Sequence, residues 1–107
     1  MLLVVIESPY AGDVDTNLLY MSACMADSLS RGEAPFASHG LYTWALDDRV
    51  PEERDLGITA GYAWGVMADF VAVYTDLGIS PGMERAILHY GRHNMRIKRR
   101  TVEGWKL

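Results

Sequence analysis

The chain has 107 residues, half of them apolar, a net charge of −4 and one cysteine, Cys24. This fits one domain around one core and excludes an internal disulfide. The apolar run at residues 2–6 is too short for a membrane span and lacks the basic leader and cleavage site of a signal peptide, so a cytosolic protein is expected.

The charge is unevenly spread. Residues 1–84 carry 3 basic and 13 acidic side chains, and residues 85–107 carry 7 basic and 1 acidic. Such a split suits either a nucleic-acid arm or two halves that complement each other, within the fold or across a subunit interface. The acidic total disfavours a phosphate backbone as partner, so nucleic acid is not expected.

Residues 2–6, Leu-Leu-Val-Val-Ile, read as a fully buried strand closed by the turn Ser8-Pro9-Tyr10-Ala11-Gly12. Asp13 is placed to cap a helix in which Val14, Leu18, Met21, Met25 and Leu29 recur at helical spacing, with Gly32 ending it. Residues 34–38 read as a short second strand containing a proline, and 39–50 as a loop rich in His, Tyr, Trp and Asp. Pro51-Glu52-Glu53 starts a helix that runs to about Met67. Gly57, Gly61 and Gly65 weaken it but give it a smooth face for a neighbouring backbone. Residues 70–74 form the clearest later strand. Ser80-Pro81-Gly82 opens a helix to about Arg92, Asn94 is its candidate C-cap, and Met95 to Lys98 form the last strand.

Strands alternating with helices predict an α/β fold with a parallel sheet of about four strands, the first of them interior. Open sheets of this type bind ligands at the carboxyl ends of their strands. Three segments fall there. In Glu7-Ser8-Pro9-Tyr10-Ala11-Gly12-Asp13, Ser8, Gly12 and the helix start offer donors to an anion, and Tyr10 is suited to stack on a substrate, although such a turn alone is an ordinary strand-to-helix connection. In the second, Ser80 is a good N-cap, Gly82 lets a ligand oxygen come close, and Glu84 lies in the first helical turn, where it also simply complements the helix dipole. The third is the loop with His39, Tyr42, Trp44, Asp47 and Asp48. There is no phosphate-loop or dinucleotide fingerprint and no CxxC pair, so no cofactor is expected. His89 and His93 lack a third ligand, and no metal is expected.

Taken together, these motifs resemble the nucleoside 2-deoxyribosyltransferase-like superfamily, and more closely a small phage and bacterial branch of it. The resemblance is carried by Ser8-Pro9-Tyr10-Ala11-Gly12 with Asn17, Arg31 to His39, Leu41-Tyr42-Thr43, Leu46-Asp47-Asp48, Pro51 to Arg54 and Tyr74 to Met83, and covers about residues 2–97. It implies a flavodoxin-like three-layer sandwich and a site for a nucleoside or its 5′-monophosphate. It further implies N-glycosidic chemistry of the deoxyribosyltransferase or nucleotide N-hydrolase type, in which a glutamate early in the last site helix attacks the anomeric carbon.

The chain departs from that pattern at the nucleophile. Counting from Gly82 places Ala86 where relatives carry the glutamate, and Glu84, two residues earlier, projects about 200° away on a helix. As an enzyme, the chain would use Glu84 as nucleophile and Tyr10 to position it. Ser8, Pro9, Gly12, Asp13, His39, Tyr42, Asp47, Asp48, Ser80, Gly82 and Met83 would hold the nucleotide. As a non-catalytic binder, it would sense or sequester a nucleotide signal, which the alanine at 86 favours. A purely structural oligomer leaves the polar loops unexplained. A homo-oligomer is expected in any case, from the glycine face, the apolar content and the charge split.

Overall fold

The computed structural model describes residues 1–106. Leu3–Glu7 (β1), Ala34–Phe36 (β2), Phe70–Tyr74 (β3) and Ile97–Arg100 (β4) form one all-parallel sheet in the order β2-β1-β3-β4. The expected four-stranded parallel sheet with an interior first strand is present, but residues 2–6 are not buried throughout: β1 starts at Leu3, and Leu2 and Leu3 lie exposed at the amino end of the strand while Val4 to Ile6 are buried. Pro35 is tolerated because β2 is an edge strand, where a missing ladder donor faces away from the sheet.

The helices are Val14–Ser30 (α1), Ser38–Leu41 (α2), Pro51–Gly65 (α3) and Pro81–Arg92 (α4). Strand alternation divides the core between the two sheet faces. Val4, Ile6, Phe70, Ala72 and Tyr74 pack on Tyr20 and Cys24 of α1. Val5, Val71 and Val73 pack on Met83, Ala86 and Tyr90 of α4, with Tyr62 of α3 against them. The result is a three-layer α/β sandwich.

Three further local expectations need correction. Residues 39–50 are not one loop, since α2 and a single 3-10 turn over Tyr42–Trp44 occupy their first half. The last strand begins two residues later than its composition suggests. Asn94, with φ 58°, is the left-handed residue after α4, and the Met95 amide reaches back to the Tyr90 carbonyl at 3.1 Å while that of Asn94 reaches Gly91. This Schellman closure uses up the residues before the sheet. Third, the glycine face of α3 is filled by the chain itself. A Cβ at Gly61 would lie 2.6 Å from Ser38 Oγ, and one at Gly65 would run into the Tyr90 ring. These glycines bring α2 and α4 close to α3, so the face is not open to a neighbouring subunit.

The C-terminal segment completes the α1 layer. Val102 and Trp105 pack there, the Trp105 ring 4.9 Å from that of Tyr20. The acidic and basic parts of the chain meet within the fold, where Arg100 forms a two-pronged ion pair with Glu33. Among the described residues no helix is long and apolar enough to cross a membrane.

Candidate functional site

β1 and β3 are neighbours whose connections leave in opposite directions, β1 towards β2 and β3 towards β4. The turns after them therefore separate and leave a crevice at their carboxyl ends. A cleft of about 270 Å³ lies there. Its floor is the end of β1, its walls are α3 and the first turn of α4, and α2 with the following 3-10 turn covers it.

Glu7 is at the floor. It follows Val5 by two residues on β1, so its side chain points to the same α3/α4 face. Burial at the cleft floor pushes its carboxyl up to about 8, with no hydrogen bond or ion pair to it opposing the effect. Burial, and after it the nearness of Glu7, also raises the phenols of Tyr62 and Tyr90 above the usual tyrosine value.

Beside Glu7, Ser8 Oγ is 2.7 Å from Nε2 of His39, which α2 delivers from the opposite wall. Burial pushes the His39 imidazole down to about 4. It is therefore neutral near pH 7 and can accept the Ser8 hydroxyl proton. The Thr43 hydroxyl donates to the His39 carbonyl at 2.8 Å and fixes the turn that carries the ring.

The remaining wall is aromatic and charged, with the carboxylates of Asp48 and Glu53 beside two arginines. Tyr10, Tyr42 and Tyr62 line it, and Arg54 of α3 and Arg85 of α4 stand at the same opening. Neither arginine takes part in an ion pair among the described residues. The start of α4 contributes less than its sequence suggests. Pro81 has no amide proton, the Met83 amide donates to Ser80 Oγ at 3.2 Å, and the Glu84 amide donates to the Ser80 carbonyl at 2.9 Å. Only the Gly82 amide remains uncommitted in that turn, so the arginines carry most of the positive potential. Nor is Gly82 sterically needed, since a Cβ there would meet Arg85 and Ser80 only at 3.8 and 3.9 Å.

Of the residues singled out in the sequence, Ser8, Tyr10, His39, Tyr42, Asp48, Ser80, Gly82 and Met83 come together at the cleft. Six do not line it, among them Trp44, which is exposed on the 3-10 turn. Pro9 is buried behind the turn, and Gly12, with φ 100°, shapes the bend before α1. Asp13 caps α1 through the Thr16 amide and hydroxyl. Asp47 is bound to Arg49. Glu84 is exposed on the outer side of α4, while Ala86 lines the cleft, as the 200° separation requires.

Sequence reasoning did not assign Glu7, Arg54, Tyr62 or Arg85 to the site. Glu7 had a usable signal, being the one carboxylate at the end of an otherwise apolar interior strand. The other three read as ordinary polar positions on helices. Among the described residues there is no cluster of three or more His, Cys, Asp or Glu suited to a metal. His89 instead stacks on Tyr62, ring centres 3.9 Å apart, and supports the cleft wall from behind.

No curated protein and no solved structure matches the chain. A family model, described as a domain of unknown function (DUF7768), matches residues 2–100, and the chain belongs to that family.

Proposed function

We propose that the cleft binds a nucleoside 5′-monophosphate or the related nucleoside, and that the chain acts on its N-glycosidic bond. The observation that carries this reading is the make-up of the cleft. Three tyrosines offer stacking surfaces to a base, and two arginines free of ion pairs stand at the opening, where a phosphate would sit. Its position at the point where the strand order reverses fits the same reading. The sequence resemblance to nucleoside 2-deoxyribosyltransferase-like proteins supports the choice of bond.

Calorimetry with nucleoside 5′-monophosphates and the matching nucleosides tests the binding. The monophosphates bind at least roughly tenfold more tightly, and Arg54→Ala together with Arg85→Ala removes that difference, as expected when charge-assisted hydrogen bonds to a phosphate are lost. Equal affinities for nucleoside and monophosphate would contradict the phosphate site.

A second reading, a non-catalytic binder that senses or sequesters a nucleotide, is favoured by the exposed position of Glu84 and by Ala86 in the cleft. Both readings include a cytosolic setting, in keeping with the unpaired, buried Cys24. They also include a homo-oligomer. Its support is an exposed apolar stripe on α3, Leu56 and Trp64, continued by Met67, with Leu41 and Trp44 exposed on the neighbouring turns. Light scattering is expected to give a mass above the 12.0 kDa of one chain, reduced by Trp64→Lys. A monomer at micromolar concentration would rule this out.

A further inference from the structure

We propose that Glu7 and the Ser8–His39 pair form an acid–base couple that hydrolyses the bound ligand's N-glycosidic bond by direct attack of water, without a nucleophile on α4. The inference rests on the nucleotide reading above and goes beyond it by assigning the reacting groups to the end of β1 and to α2.

The geometry provides two proton-handling groups on one cleft floor. Glu7 ends β1 and Ser8 follows it directly, both line the cleft, and His39 closes on Ser8 from α2 at 2.7 Å. Their environments push them in opposite directions. Glu7 holds its proton up to about pH 8, and His39 stays unprotonated down to about pH 4. Across that interval one group is a loaded acid and the other an empty base. Titratable groups driven apart in this way mark acid and base roles. Water itself supplies the bond to the anomeric carbon, so no covalent nucleophile is needed, and Glu84, the carboxylate nearest to that role in sequence, faces away from the cleft.

The step balances. The C1′–N bond breaks with its electron pair going to the base, and the Glu7 carboxyl gives its proton to that nitrogen. Water forms the new C1′–O bond. The water proton passes to Ser8 Oγ as the Ser8 proton moves to His39 Nε2. The imidazolium then returns one proton, through solvent, to the Glu7 carboxylate. One water is consumed, and base and sugar phosphate are released. Tyr10 and Tyr42 lie within the same cleft, where they can stack on the base as it leaves.

The test is release of free base, followed by chromatography, from a panel of ribo- and deoxyribonucleoside 5′-monophosphates, alongside calorimetry. Wild type is expected to release base from at least one of them, with kcat/KM level between about pH 4 and pH 8 and falling outside. Glu7→Gln lowers kcat by at least roughly 100-fold with little change in Kd. Glu7→Asp keeps measurable turnover but moves the alkaline limb. His39→Gln abolishes the acid limb and slows turnover at every pH. Circular dichroism checks that each variant is folded.

Three results would overturn the proposal. Turnover by Glu7→Gln within threefold of wild type removes Glu7 as the acid and leaves the nucleotide reading intact. Binding without base release from any member of the panel removes the hydrolytic couple and selects the non-catalytic binder. Absence of binding removes both this proposal and the nucleotide reading beneath it.

Discussion

Glu7→Gln is expected to stabilise the fold by roughly 2 kcal/mol near pH 9 and to be nearly neutral near pH 4. The carboxyl ionises at about 8 in the folded chain and at the ordinary 4.5 when unfolded. Between those values the folded state retains a proton that the unfolded state releases. Raising the pH therefore favours unfolding, and stability that is complete below 4.5 is lost as the pH climbs through 8. Glutamine copies the shape of the protonated acid and has no ionised form, so it escapes this loss. The full separation of the two values would give a larger number, but Glu7 is only half-buried at the floor of the cleft, and solvent screening reduces it. In a domain of this size the effect is a rise in Tm of roughly 8 °C at the alkaline end. Thermal melts of both proteins across the pH range check it. Parallel curves would show that Glu7 ionises normally in the fold, and the acid role proposed for it would lose its physical basis.

His39 tilts the curve the other way. Its folded value of about 4 lies below the ordinary 6.5, so stability present above 6.5 is lost as the pH falls through 4. The two groups that handle protons in the proposed reaction thus both cost stability at the limits of the proposed activity range. Uncompensated burial of ionisable groups is common at functional sites, because a fold under no such demand would satisfy or remove them.

Much of the architecture could be read in the sequence, because its main signals are local. The apolar runs at 2–6 and 70–74 have no alternation, and they became the two interior strands β1 and β3, the second buried along its whole length and the first from Val4 to Ile6. Asp13 and Ser80 accept from the amides expected of N-caps, so the starts of α1 and α4 were legible to the residue. What could not be read depends on distant partners. The role of Gly61 and Gly65 is set by Ser38 and Tyr90, which approach them only in three dimensions. The docking of Trp105 on Tyr20 and the reach of the Val102 amide to Asp76 Oδ2 give residues 101–106 a place without any regular element to announce it.

The site divides along the same line. Residues in the strand-to-helix turns were identifiable because topology alone gathers the ends of adjacent parallel strands. Arg54, Tyr62 and Arg85 project from helix surfaces, and which helical face meets the cleft depends on how α3 and α4 pack across the sheet. Glu7 lies between the two cases. Its place was readable from strand period, but its chemistry comes from Tyr62, Tyr90 and the sheet around it, which no local pattern specifies.

The largest loss of stability is expected from Arg100→Ala, roughly 3 to 4 kcal/mol near neutral pH. Arg100, from the end of β4, sends two guanidinium nitrogens to Glu33 at 2.7 and 2.6 Å, and both side chains are nearly buried, at 8% and 11% exposure. Ser28 donates a further hydrogen bond to Glu33 at 2.8 Å, and the guanidinium lies over the Phe70 ring at 5.2 Å. The Arg100 bonds are the main reason that the Glu33 carboxyl lies below its ordinary range. Removing the cation strands a carboxylate where water scarcely reaches, and that desolvation, rather than the attraction lost, sets the size of the effect. Acidification should therefore reduce the penalty. The contribution of the pair is complete above about 4.5 and disappears as falling pH protonates Glu33, since a neutral acid no longer needs the arginine. Arg100→Met with Glu33→Gln should recover at least half of the loss at neutral pH, because it removes both charges while keeping an acceptor for Ser28. Urea unfolding of wild type, the single variant and the double variant at neutral and acid pH measures all of this. A single variant as unstable at pH 4 as at pH 7, or a double variant no better than the single one, would mean that β4 and the α1–β2 connection are held by packing and not by this ion pair.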